Sequence, residues 1–98
     1  MHYIVIVRTD TVPDSDLGHY LANVGDTLAR HNGRLLAFGA PSRLEGGVAY
    51  TKTAVIEFDS EAAATGWYHS DAYQDLASWR IQTLGHEVDI NLVPGLGR

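Results

Sequence analysis

Arg80 is the residue of this sequence from which chemistry can be argued. On a helical wheel, which advances about 100° per residue, the segment Ser70–Leu84 sets Tyr73, Leu76, Ala77 and Leu84 on one face, with Arg80 among them. Asp71, Asp75, Ser78 and Gln82 fall on the opposite face and belong in water. A guanidinium keeps its charge in a protein, and a buried charge without a partner is strongly destabilising. Arg80 therefore needs a protein carboxylate, or the anion or carbonyl of a ligand. Glu57, flanked by Ile56 and Phe58, reads as a buried carboxylate and is the protein partner to consider. Snorkelling of the long stem to the rim is a further arrangement. The ligand arrangement requires a pocket between helix and sheet with Arg80 as its anchor.

Other side chains fall near that anchor. Trp67, Tyr68 and Tyr73 bracket a break between two helices, where aromatics serve either as core or as a ligand cage. Tyr73 shares the Arg80 face, and a phenol beside a guanidinium can orient a carbonyl or act as a weak acid. Trp67 and Tyr20 would wall such a pocket, whereas Trp79 lies off the face and suits packing or a dimer contact. For proton transfer the candidates are His69, at the helix break, and Glu45, on the loop Leu44-Glu45-Gly46, which reaches over a pocket mouth or simply stands in solvent. His2, His19, His31, His69 and His86 show no pairing at i+2, i+3 or i+4, so no metal-ligand motif is present. Ser60, Ser70 and Ser78 lack a G-x-S-x-G context. Gly46-Gly47 is no phosphate loop, and no G-x-G-x-x-G occurs. No motif calls for a cofactor.

The whole chain bounds these readings. Its 98 residues make one domain. A net charge of -5 argues against a nucleic-acid partner, which needs a basic face. The absence of cysteine excludes disulfides, thiolate zinc sites and cysteine nucleophiles. No apolar run approaches the roughly 18 residues of a membrane span, and the start, Met1 to Arg8, reads as a strand and not as a secretory leader. A cytoplasmic protein without a membrane partner is the expectation.

The elements that must position Arg80 follow from periodicity. Strands are predicted at His2–Arg8, Arg34–Phe38, Thr53–Phe58 and Val88–Val93. A helix is predicted from Ser15 to His31, capped by Asp14 or Ser15, with Leu17, Leu21, Val24 and Leu28 as its apolar stripe and His19 on the far side; Gly33 follows as a helix-end glycine. A second helical region begins near Ser60 and breaks at His69-Ser70-Asp71, where Ser70 caps a helix to Leu84. Ala40–Tyr50 reads as a loop and residues 94–98 as a loose tail. The order is βαββαβ, the ferredoxin-like α+β pattern: a four-stranded antiparallel sheet with helices on one face. The first strand carries Tyr3, Val5 and Val7 on one side and Ile4 and Ile6 on the other. The second would carry Leu36 and Phe38 on one side, and Leu35 and Ala37 on the other. Both faces are thus apolar, and helices cover only one. A second copy is the simplest cover, and a homodimer through the open sheet face is predicted.

The chain resembles domain-of-unknown-function family 1330 of the dimeric α/β-barrel superfamily. The likeness rests on His19-Tyr20, His31-Asn32-Gly33-Arg34, Leu44-Glu45-Gly46, Val55-Ile56-Glu57-Phe58, the run Trp67-Tyr68-His69-Ser70-Asp71-Ala72-Tyr73-Gln74, and Arg80. Asn32 stands where the family usually has a second glycine. The resemblance implies a ferredoxin-like protomer and a sheet-to-sheet dimer, but no activity. The wider superfamily includes cofactor-free monooxygenases, cyclases, isomerases, dehydratases and haem-handling proteins, and fold does not select among them. His19 lies on the wrong side of its helix for an axial haem ligand. The expectation is a small-molecule pocket, either in a cofactor-independent enzyme acting on an oxygen-rich or carboxylate-bearing metabolite or in a non-catalytic binder. The remaining reading is a structural dimerisation module in which Arg80 pairs with Glu57.

Overall fold

In a computed structural model, which describes residues 1–85 and 87–97 (without the Leu84 side chain), the chain forms β1 (His2–Arg8), a 3-10 turn (Asp14–Leu17), α1 (Gly18–Ala29), β2 (Arg34–Gly39), β3 (Lys52–Phe58), α2 (Glu61–His69), α3 (Asp71–Leu84) and β4 (Val88–Pro94). The strands make one sheet in the order β2-β3-β1-β4, with each adjacent pair antiparallel. Ile4, Ile56 and Phe58 project from one face of this sheet into a core completed by Leu28, Ala64, Trp67, Tyr73 and Ala77 from the helices. Among the described residues, no helix is long and apolar enough to cross a membrane.

Local chemistry explains the helix boundaries. Ser60 and Ser70 cap α2 and α3, accepting from the N–H groups of Ala63 and Tyr73. α1 begins otherwise than predicted: a 3-10 turn precedes it, and neither Asp14 nor Ser15 caps it. The Asp14 carboxylate is drawn instead to Lys52 Nζ at 2.9 Å and Arg8 Nη1 at 3.5 Å. At the other end, the Gly33 N–H donates to Leu28 O and the Asn32 N–H to Ala29 O, closing a Schellman motif. Its left-handed residue is Asn32, at φ 55°, not Gly33. That explains how asparagine stands in a position suited to glycine, since asparagine enters this region more readily than other side chains.

Gly33 is required for a different reason. A Cβ there would meet Phe58 Cε1 at 2.8 Å and Leu28 Cδ2 at 3.0 Å, both in the core. Gly33→Ala is expected to lower unfolding free energy by about 1–3 kcal/mol, the usual cost of overpacking, measured by urea titration. An unchanged midpoint would show that the Phe58 ring moves aside freely.

β2 departs from the simple alternation. Its register against β3 shifts between Leu35 and Ala37, so Leu35 opposes Ile56 and Phe38 opposes Ala54. Leu35 and Phe38 therefore share the helix-facing side, which corrects the predicted pairing of Leu36 with Phe38. β4 also runs further than predicted. Pro94 ends the strand, and Gly95 N–H donates to Met1 O at 2.9 Å, so the tail begins later; Arg98, at its end, lies outside the described residues.

Candidate functional site

A cavity of about 560 Å³ lies between α1 and the helix-facing side of the sheet. The predicted stripe of α1, Leu17, Leu21, Val24 and Leu28, forms one wall, and Ile6, Ala54 and Ile56 form the other. Gly25 widens it, because nothing lies within 4 Å of where its Cβ would be. Leu35 and Phe38, 55% and 48% exposed, stand at the β2 edge of the cavity and shape its mouth. The β2 bulge thus supplies this lip by turning both side chains to one face.

Polar groups gather toward the β1–β4 side. Arg80 lines the cavity there beside Val88, which pairs with Arg8 across the β1–β4 ladder. Arg80 is only 7% exposed, so its head does not snorkel to the rim. Its Nε is buried with no hydrogen-bond partner among the described residues, and no ion pair among them includes it. Arg8, equally buried, differs in having its charge balanced. Its Nε and Nη2 donate to the Asp10 carboxylate at 2.9 and 2.8 Å, and Nη2 also donates to Val12 O at 3.1 Å. The salt bridge to Arg8 holds the Asp10 carboxyl below its ordinary range despite burial.

The phenols of Tyr20 and Tyr73 meet at 2.9 Å. Tyr20 lines the cavity, while Tyr73 is wholly buried behind it, 4.1 Å centroid to centroid from Trp67. Burial raises the pKa of both phenols, and the nearby Arg80 charge opposes that rise. Both are therefore neutral hydroxyls at ordinary pH. One proton is shared between the two oxygens, which leaves the pair a further O–H to offer.

The predicted Arg80–Glu57 ion pair does not form. Glu57 lies between Ile56 and Phe58 on a strand, so its side chain takes the opposite face from theirs. There it accepts from Arg34 Nε and Tyr3 Oη, each at 3.1 Å. Trp67 is not a wall of the cavity either. It sits in the core at 0% exposure, and its Nε1 donates to Thr27 Oγ1 at 3.0 Å. His69 is exposed beside a separate recess formed with Ile4, Thr65 and Tyr68. Glu45 stands on the arm between β2 and β3, whose residues 40–50 are all exposed, Leu44 at 99%. Arg43 braces this arm by donating to the carbonyls of Gly46 and Val48. Within one protomer neither His69 nor Glu45 lines the Arg80 cavity. His19 is exposed and packs its ring 5.2 Å from Trp79.

The buried pair Arg8–Asp10 escaped sequence reading, although a signal was there. Residues 2, 4, 6 and 8 of β1 share one face, so the face assigned to Ile4 and Ile6 also holds Arg8. Among the described residues, no group of three or more histidines and carboxylates is placed to hold a metal ion.

The chain matches the family described as Domain of unknown function (DUF1330) over residues 2–96. No curated protein matches it. Among solved structures it is similar to a dimeric ferredoxin-like protein of unknown function from Jannaschia sp. CCS1, with a TM-score of 0.70 and 14% identity over 96% of this chain and 98% of that one. A protein of unknown function from Rhodopseudomonas palustris gives a TM-score of 0.71 and 16% identity over 99% of this chain and 83% of that one. SnoaB, a cofactor-independent oxygenase from Streptomyces nogalater, gives 0.62 and 13% over 99% and 94%. At these identities the likeness establishes the ferredoxin-like fold alone.

Proposed function

The chain belongs to this DUF1330 family, and from that premise we propose that its protomer is a small-molecule binding unit whose ligand enters the cavity under α1 and places an oxygen on Arg80. Arg80, which lines one end of a preformed apolar cavity and whose buried Nε has no hydrogen-bond partner among the described residues, carries this reading. A ligand anion or carbonyl is the partner that the protein itself withholds, and Tyr20 stands beside it to donate. Arg80, Tyr20 and, through its bond to Tyr20, Tyr73 form the binding set. Trp67 supports them from the core. The dimerisation-module reading loses its central feature, because Glu57 is engaged by Arg34.

A homodimer belongs to the same proposal. The sheet face away from the helices carries Val5, Val7 and Val55, all half-buried rather than fully solvated. A second copy would cover them, and the Jannaschia relative is described as dimeric.

A catalytic variant of the reading draws on one observation. Among the described residues that line the cavity there is no carboxylate and no histidine, while the arm carries Glu45 beside the fully exposed Leu44. In a dimer, Glu45 of the partner subunit would supply the missing proton acceptor at the mouth. His69, beside a different recess, has no such route.

Gly25→Leu tests the pocket. The helix gains propensity from losing glycine, roughly 0.5–1 kcal/mol, and the new side chain projects into the cavity. The variant is expected to melt higher than wild type while losing the thermal stabilisation that metabolite-library hits give wild type. Hits that stabilise Gly25→Leu equally would place the ligand elsewhere and overturn the reading.

A further inference from the structure

We infer that the cavity selects an amphiphilic monocarboxylate: one carboxylate head at Arg80 and an unsubstituted apolar body of about eight to twelve carbons running toward the β2 edge. This rests on the pocket reading and narrows it. Among the described residues, Arg8 and Arg80 line the cavity and Lys52 lies beside its Phe38 wall, and two of these three cations are spent. Arg8 is neutralised by Asp10, and Lys52, whose Nζ lies 5.3 Å from the centre of the Phe38 ring, pairs with Asp14 at 2.9 Å. One uncompensated guanidinium calls for one anionic group, not two. The hydroxyl that the Tyr20–Tyr73 pair has free can meet a carboxylate oxygen beside it.

The rest of the wall sets the body. From Leu17 at the end of the 3-10 turn and Val24 on α1 to Ile56 and Phe38 on the sheet, the lining side chains are apolar. An oxygen-rich ligand would bury its hydroxyls there unpaired, at a cost of roughly 1–3 kcal/mol each. Size and direction come from the sheet. Arg80 and Val88 mark the β4 side and Leu35 and Phe38 the β2 edge, three strand spacings apart, or roughly 14 Å. At about 30 Å³ per heavy-atom-sized unit, 560 Å³ admits fewer than about 19 such units. Both measures suit a medium-length chain, or a ring system of equal bulk, with its far end at the lip made by Leu35 and Phe38.

Isothermal titration with straight-chain carboxylates from hexanoate to hexadecanoate, below their micelle concentrations, tests this directly. The matching 1-alkanols, succinate and citrate complete the panel. Affinity is expected to rise about fourfold per added methylene and to level off between octanoate and dodecanoate. The alkanol of the best length should bind at least tenfold more weakly than its acid. Arg80→Met should erase that acid preference, and Gly25→Leu should abolish binding of the best acid. Equal affinity for acids and alkanols, no dependence on length, or tighter binding of citrate than of any monocarboxylate would overturn the inference. Two failures are distinguishable. Citrate or succinate binding that Gly25→Leu abolishes leaves the pocket standing and removes only the amphiphile; binding indifferent to Gly25→Leu removes both.

Discussion

Arg80→Met is expected to make the unliganded protein more stable and at the same time unable to hold its ligand. Methionine is unbranched and adaptable, so it can follow the path of the arginine stem. What it removes is a guanidinium whose Nε is buried without a partner. Replacing buried ion pairs by well-packed apolar side chains often stabilises by about 1–4 kcal/mol, and among the described residues Arg80 has no carboxylate partner to lose. Allowing for water in the cavity around the outer guanidinium nitrogens, a gain of about 1–3 kcal/mol is reasonable. For a domain of this size that is a rise in melting temperature on the order of 5–15 °C. Ligand affinity should fall by about 2–4 kcal/mol, as for loss of a charge-assisted pair in a desolvated site. Urea denaturation at one fixed protein concentration, with the same preparations titrated calorimetrically, checks both. A destabilised Arg80→Met that still binds would mean that the guanidinium holds the fold together and that the ligand sits elsewhere.

Asp10→Asn should act in the opposite direction and by a larger amount. Asp10 is 1% exposed and receives both forks of the Arg8 guanidinium as well as the Val12 N–H. Its own backbone carbonyl accepts from Thr51 Oγ1, which ties the end of β1 to the start of β3. Asparagine keeps the shape and removes the charge, leaving Arg8 buried beside a neutral amide. Breaking a buried pair from one side costs about 3–5 kcal/mol, a large share of the stability of a 98-residue domain. The same linkage sets a pH dependence. The Arg8 hydrogen bonds depress the carboxyl of Asp10 in the folded state, so its contribution is complete above the unfolded value near 3.9. It is lost as pH falls from there through the depressed folded value. Asp14, lowered chiefly by Lys52, follows the same sign, but it is exposed and contributes less. Wild type should therefore lose more stability than Asp10→Asn between about pH 5 and pH 2, and the two urea midpoints should converge. Parallel pH profiles would show that the carboxylate does not stabilise the fold through Arg8.

Much of the protomer is legible in the chain because the elements are encoded locally. β-Branched runs mark the four strands, and Ser60 and Ser70 mark two helix starts with capping hydroxyls. The α1 stripe is also visible, and three of its residues sit where a core-facing stripe should: Leu17 and Leu28 are buried and Val24 is half-buried, while Leu21 reaches the cavity from a more exposed position. Glu57 was open to the same reasoning, since a residue between two core-facing strand positions must face away; its apolar flanks disguised that. The start of α1 is not legible in the sequence because the Asp14 side chain is claimed by Lys52, a residue 38 positions distant on β3.

Arg80 divides the two kinds of knowledge. Helical periodicity alone placed it on the inward face of α3, because about 100° per residue leaves it no other side. That its side chain lines an apolar cavity, with Nε buried and without a partner among the described residues, emerges only in the assembled fold. Two long-range facts shape that outcome: Glu57 turns to Arg34, and the β2 bulge brings Leu35 and Phe38 to one lip. Both depend on strand register, and register is a property of paired strands that neither strand carries alone.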